Sequence, residues 1–235
     1  MKNNLEAITF TTYGYKHYTE NLLASIKSNK VDLNLKVYAL DKESVVHFSK
    51  THKNVEDLKS DDNLPNYMKQ NNNKFGELMF KKFECIYRSL VNNNYVLYVD
   101  SDITIKKNIA DYLIRNIGYS DIIFQNDKRP SKPNKINMCA GFMFIKANKK
   151  TLKFFNPENV PIQKLSKYKT HDQTYINKNL AKFNYKALPL DLFPNGAHYY
   201  KYSNNIDPAI IHFNYIVGEQ KVEYMKKYNE WYLDY

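Results

Sequence analysis

Apolar and polar positions along this chain follow two alternating periods. Residues 7–12 are rich in β-formers, with Ile8 and Phe10 on one face, and predict a strand. Residues 17–28 place Leu22, Leu23 and Ile26 at helical spacing. A second strand pattern covers 35–40 and a short helix 43–50. From 51 to 73 the composition turns polar, with Asp61-Asp62-Asn63, Pro65 and Asn71-Asn72-Asn73, and predicts a long loop placed as a lid over a site. Residues 75–92 give the clearest helix, because Phe75, Met79, Phe83, Ile86 and Leu90 recur at intervals of three and four. The run 95–99 has the composition of a strand buried on both faces and stops abruptly at Asp100-Ser101-Asp102. Further strands are expected at 121–125, 141–145, 185–188 and 209–213, and further helices at 149–155, 171–180 and 220–231. Residues 126–137, with Pro130 and Pro133, read as a loop. Strands alternating with helices predict an α/β fold with a mostly parallel sheet flanked by helices. No internal repeat interrupts the pattern, and 235 residues fit one domain spanning 1–235.

Composition narrows the class. Aromatic residues make up 15% of the chain, with 21 Tyr and 13 Phe, which excludes a disordered polymer and predicts a sizeable core. The 35 Lys and Arg against 24 Asp and Glu give a net charge of +11. That charge attracts polyanions such as nucleic acid, anionic lipid or a phosphorylated substrate, and it equally suits a soluble Lys-rich surface. Lysines are spread along the chain, which argues against a dedicated nucleic-acid arm. Cys85 and Cys139 do not make a disulfide framework and read as buried free thiols of a reducing compartment. No signal peptide and no run of about 18 apolar residues is visible, so a cytoplasmic location is expected.

Five local patterns can carry chemistry. In Asp100-Ser101-Asp102 a buried strand delivers two carboxylates one residue apart, at the strand end where open α/β sheets gather ligands. Two such carboxylates repel unless a cation joins them, and oxygen ligands suit Mg²⁺ or Mn²⁺. The same string also suits a capping turn. Residues 210–214 deliver His212 and Asn214 at a second strand end, and imidazole favours Mn²⁺ over Mg²⁺. A hydrogen-bonded structural histidine is the competing reading. Asp172 and Gln173 open a helix, as dipole partners or as ligands for sugar hydroxyls. Asn137 to Gly141 leads small residues into an apolar strand, for close packing or close approach of a ligand. Gly218 and Lys221, at the start of the last helix, suit a phosphate, and of Lys81 and Lys82 only one can face a diphosphate.

In this order, from about Ile8 to Trp231, the patterns resemble the GT-A fold nucleotide-diphospho-sugar transferases, the Asp-x-Asp glycosyltransferases. Within that family they are similar to the retaining branches that pair Asp-x-Asp with a C-terminal His on Mn²⁺. The resemblance implies an enzyme that moves a sugar from a UDP-sugar to a glycan, protein or small-molecule acceptor. It implies Asp100, Asp102 and His212 as metal ligands, with Mn²⁺ or Mg²⁺ as cofactor, and Asp100 also near the ribose. Thr11, Thr12 and Tyr13 would line the nucleoside pocket. Lys81, Ser101, Asn214, Gly218 and Lys221 would serve the donor nucleotide and its diphosphate. Ala140 and Gly141 would wall the sugar, which Asp172 and Gln173 would face. Here the chain departs from many relatives, because Met138 and Cys139 separate Asn137 from Ala140-Gly141. An inverting reaction would need an outside base, for which Asp191 and Asp127 are candidates.

Two other classes compete. A nucleotidyltransferase or metal nuclease also uses carboxylates and divalent ions, and usually clusters more of them. A basic nucleic-acid or anion-binding module would use the +11 charge and ignore Asp102.

Overall fold

A computed structural model of the chain describes residues 5–58, 73–132, 134–168 and 170–235. Its strands are β1 (Leu5–Thr11), β2 (Leu35–Ala39), β3 (Val55–Asp57), β4 (Tyr95–Val99), β5 (Ile103–Ile105), β6 (Ile122–Asn126), β7 (Met138–Lys146), β8 (Tyr185–Ala187) and β9 (Ile210–His212). Its α-helices are α1 (Lys16–Ser28), α2 (Lys42–Thr51), α3 (Asn73–Asn92), α4 (Ala110–Ile117), α5 (Lys149–Phe155), α6 (Ile162–Lys167), α7 (Asp172–Lys178), α8 (Gly196–Tyr202) and α9 (Glu219–Lys227). No helix among the described residues is long and apolar enough to cross a membrane.

Seven strands form one sheet in the order β3-β2-β1-β4-β7-β6-β8, and β5 pairs with β9 in a small antiparallel ribbon. The large sheet is parallel except at β7, which runs against both β4 and β6. Alternation along β4 sorts its side chains between two cores. Val96 and Tyr98 join Phe83, Ile86, Met143 and Phe155 on the α3 and α5 face. Leu97 and Val99 join Leu22, Leu113, Phe142 and Ile210 on the other. Burial on both faces is what parallel strands under two helical layers require, so the sheet is the α/β layer that the pattern predicts.

Side-chain caps fix several helix starts. Asp41 accepts from the Ser44 N–H and Asn148 from the Thr151 N–H, each in a reciprocal capping box. Asp41 also takes the N–H of Tyr13 at 2.9 Å, tying the exit of β1 to α2.

The structure differs from the sequence expectation in short elements. Residues 51–73, expected to be one loop, contain β3, and residues 59–72 of the expected lid lie outside the described residues. β5, α4, α6 and α8 sit in stretches for which no element was expected. Three-residue strands and helices of two turns carry too few periods to stand out.

Candidate functional site

Two strand ends build the centre of the site. β4 releases the chain at Asp100, whose N–H still donates to the Gly141 carbonyl at 2.7 Å. After the turn through Ser101 and Asp102, β5 pairs with β9 so that Ile103 lies opposite His212. The Phe213 N–H then donates to the Asp102 carbonyl at 3.0 Å. This ribbon carries His212 from the far end of the sequence to the Asp-Ser-Asp turn. One ligand atom each from Asp100, Asp102 and His212 lie within 4.8 Å of one another.

Two of the trio, Asp100 and His212, pack against Gly141. A Cβ at that position would lie 2.4 Å from Asp100 Oδ2 and 2.6 Å from His212 Cε1, distances no side chain can occupy. The small residue lets two side chains approach the backbone.

Charges around the trio are closely matched. Lys221 from α9 donates to Asp102, and His212 Nε2 lies 3.1 Å from the other oxygen of that carboxylate. Burial alone would raise the pKa of Asp102, but Lys221 and His212 outweigh it and hold the carboxyl well below the usual range. Burial likewise opposes the charge of His212, and Asp102 reverses this, raising the imidazole well above its ordinary value. The Nδ1 side of that ring faces Gln125 Oε1 at 2.7 Å and Cys139 Sγ at 3.6 Å. The Gln125 amide nitrogen donates to the Pro194 and Phe193 carbonyls at 2.9 and 3.3 Å.

Behind Asp100 lies Lys82, only 2% exposed. Its ammonium donates to Asp172 Oδ2 at 2.6 Å and to the Ala140 carbonyl at 3.0 Å, and stands 3.3 Å from Asp100 Oδ1. Desolvation disfavours this charge, yet Asp100 and Asp172 raise its pKa above the ordinary lysine value. The Tyr98 hydroxyl donates to Asp100 at 2.7 Å, so Asp100 is held from two sides.

Asp172 and Gln173 at the head of α7 do meet the rest of the site. Below Gly141, β7 has no β4 partner, and two amides of α7 continue its ladder. Gln173 Oε1 accepts from the Ala140 N–H at 3.2 Å, while Asn177 bonds both the N–H and the carbonyl of Met138. The Gln173 amide nitrogen donates to Asp127 Oδ2 at 2.9 Å.

Some of the other expected residues are placed differently. Lys81 does not join the trio; its ammonium pairs with Glu84 at 3.1 Å on the outer side of α3, and Lys82 takes the inward place. A helix turns about 100° per residue, so adjacent lysines cannot share a face. Asn214 does not extend the face of His212, because β9 ends at His212. Its amide donates to Asp127 at 3.0 Å and its oxygen accepts from the Gly196 N–H at 2.7 Å. Asp191 is 79% exposed in its side chain and pairs with His198 at the surface, whereas Asp127 is buried within the Asn137, Gln173 and Asn214 amides. Thr11, Thr12 and Tyr13 stand at the carboxyl end of β1, beside the strand that ends at Asp100. The Thr12 hydroxyl is buried with no hydrogen-bond partner. Gly218, at a φ of 63°, precedes α9 with open space above its Cα, and its carbonyl accepts from the Lys221 N–H. Gln125 carried no motif in the sequence; only its place one residue before the end of an apolar strand could have marked it.

Comparison with known proteins gives the family and the fold. The family model described as nucleotide-diphospho-sugar transferase matches residues 31–225. A UDP-galactose:fucoside alpha-3-galactosyltransferase of Dictyostelium discoideum is 24% identical and aligns with 100% of this chain. The chain spans 44% of the length of that relative. Among solved structures, the galactosyltransferase LgtC in complex with donor and acceptor sugar analogues superposes with a TM-score of 0.65 at 11% identity, covering 97% of this chain and 95% of its own. The glycosyltransferase GlyE of Streptococcus pneumoniae gives 0.61 at 16% identity, covering 98% and 61%.

Proposed function

The chain belongs to the nucleotide-diphospho-sugar transferases, and we propose on that premise that it transfers a sugar from a UDP-sugar to an acceptor hydroxyl with retention at the anomeric carbon, residues 1–235 forming one catalytic domain. The observation that carries the reading is the convergence of Asp100, Asp102 and His212 on one another at the carboxyl end of β4.

The residues fit a divalent cation on their chemistry. Two carboxylates and one imidazole form a mixed oxygen and nitrogen set suited to Mn²⁺. Asp100 and His212 pack against a backbone position kept free of a Cβ, and Asp102 completes the cluster. Asp100, Asp102 and His212 would hold the ion, and its charge would stabilise the departing diphosphate.

The remaining residues bind and orient. Thr12 has a buried hydroxyl without a partner, suited to a nucleoside hydroxyl or base edge, with Thr11 and Tyr13 beside it. Lys221 and the open backbone at Gly218 suit the diphosphate, and Ser101 lies in the turn between the carboxylates. Ala140 and Gly141 wall the sugar, and Asp172 and Gln173 face it from the head of α7. In the transfer, the bond from the anomeric carbon to the diphosphate oxygen breaks and its electron pair leaves with UDP. The acceptor oxygen bonds to the same carbon, and its proton passes to the leaving phosphate oxygen, so no outside base is required.

Calorimetric titration of UDP, GDP and ADP, with and without Mn²⁺, tests the reading. UDP binding that requires Mn²⁺ and disappears in Asp102→Asn supports it; no nucleotide binding under either condition overturns it. Product stereochemistry by NMR decides retention, and an inverted anomer would refute that part.

A further inference from the structure

A cavity of about 290 Å³ is lined by Asp127, Lys128, Arg129, Lys132, Lys135, Asn137, Gln173 and Tyr215. Its volume is at the small end for ligand sites, suited to a sugar-sized group. Gln173 joins it to the site described above, since the same amide that accepts from Ala140 donates to Asp127.

The cavity has two chemically distinct parts. Its floor is a fixed polar network: Asp127 accepts from Asn137 at 3.0 Å, Gln173 at 2.9 Å and Asn214 at 3.0 Å. Residues 127 and 137 close the base of the loop between β6 and β7 by a backbone hydrogen bond of 2.8 Å. Asn195 pins the loop further by donating to the Asn126 and Lys128 carbonyls. Tyr215 forms a wall. It is held at a φ of 68°, costly for a bulky residue, with its hydroxyl donating to the Asp127 carbonyl at 2.9 Å. The Arg129 guanidinium stacks 4.5 Å from its ring centre.

The rim is cationic. Lys128, Arg129, Lys132 and Lys135 face the cavity, and among the described residues no carboxylate pairs with any of them. The Asp127 carboxylate is the sole acid of the lining and already accepts three amide hydrogen bonds. Four uncompensated cations clustered around one concave site attract an anion more strongly than the same charges spread on a convex surface. Carboxylate and amide oxygens that can still accept from hydroxyls, beneath a cationic rim, are complementary to an acidic sugar.

Resting on the transferase reading above, we infer that the acceptor is an anionic saccharide. Its carboxylate or phosphate docks among Lys128, Arg129, Lys132 and Lys135, and its hydroxyls face Asp127, Asn137 and Gln173. Carboxylate and phosphate share the chemistry this rim recognises, and the test separates them.

Ligand-observed NMR titrations of the protein loaded with UDP and Mn²⁺ would compare glucose, galactose and mannose with their uronic acids and their 6-phosphates. At least one acidic series should bind about tenfold or more tightly than its neutral parent, and added salt should weaken it. The series that gains more names the group. The Lys132→Glu/Lys135→Glu variant changes two exposed side chains, and it should abolish the preference while leaving Mn²⁺-dependent UDP binding unchanged. Equal binding of neutral and acidic sugars, or a preference that survives the double substitution, overturns the inference with the transferase reading intact. Failure of UDP to bind at all overturns the transferase reading, and this inference with it.

Discussion

Gln125 Oε1 lies 2.7 Å from Nδ1 of His212, and the other end of the same amide is committed to two backbone carbonyls. Only a donor can face those carbonyls, so the oxygen must face the ring, and Nδ1 must carry a proton. Nε2 is thereby the nitrogen left to coordinate, toward Asp102. Gln125→Leu should lower Mn²⁺ affinity about 10- to 100-fold, the usual effect of losing a hydrogen bond behind a metal-bound histidine. It should also cost about 1–3 kcal/mol of stability for polar groups left buried without partners. Mn²⁺ titration by electron paramagnetic resonance and urea denaturation read the two effects separately; unchanged affinity would show that the ring is held by other contacts.

Gly141→Ala is expected to separate the site from the fold. The added methyl would fall on Asp100 and His212, both of which can rotate away, whereas the β4–β7 ladder runs on beyond it. Cooperative unfolding should persist with a small loss of thermal stability, and Mn²⁺ binding should be abolished. Retained Mn²⁺ affinity would contradict the packing described.

Removing the buried ammonium should be severe. Lys82→Met leaves Asp172 and Asp100 facing each other without compensation, and breaking such a buried pair costs roughly 3–5 kcal/mol. Adding Asp172→Asn removes one of the stranded charges and should recover part of that loss. Denaturant midpoints of the two variants give the comparison, and a double variant less stable than Lys82→Met would reverse the assignment.

How much of this was legible beforehand depended on repetition. The α3 stripe and the doubly buried β4 repeat their pattern for long enough to be read, and the Asp100-Ser101-Asp102 turn sits at the end of the second. The antiparallel direction of β7 left no trace, because a strand buried on both faces has the same composition either way up. His212 was legible as a candidate, but its closeness to Asp102 depends on β5, three residues long. The choice between Lys81 and Lys82 turned on the rotational phase of α3, which an apolar stripe at mixed spacings of three and four does not fix to one residue. Gln125 and the amides around Asp127 matter through partners distant in sequence, and no local spacing records that.

Acid should loosen the far end of β6. Burial alone would raise the pKa of Asp121, but the Asn184 N–H, Lys150 and Asn148 hold it below the ordinary carboxylate value. A carboxylate with a lower pKa folded than unfolded contributes stability above its unfolded value, near pH 4, and loses it as pH falls through the folded one. Asp121→Asn should flatten the fall in stability between roughly pH 5 and pH 2. A curve as steep as that of the unmodified protein would assign the acid sensitivity elsewhere.

The β5–β9 ribbon also sets a schedule. During synthesis, Asp100 and Asp102 emerge long before the strand that carries His212, and Thr104 waits longer still for Glu230. The central strands β1, β2 and β4 can pair early, but a chain halted before β9 would have both carboxylates and no third ligand. Loop closure over such a sequence separation comes late in folding. On the proposed function, cation affinity would therefore be a readout of finished assembly, acquired in a single late event rather than accumulated as the sheet grows.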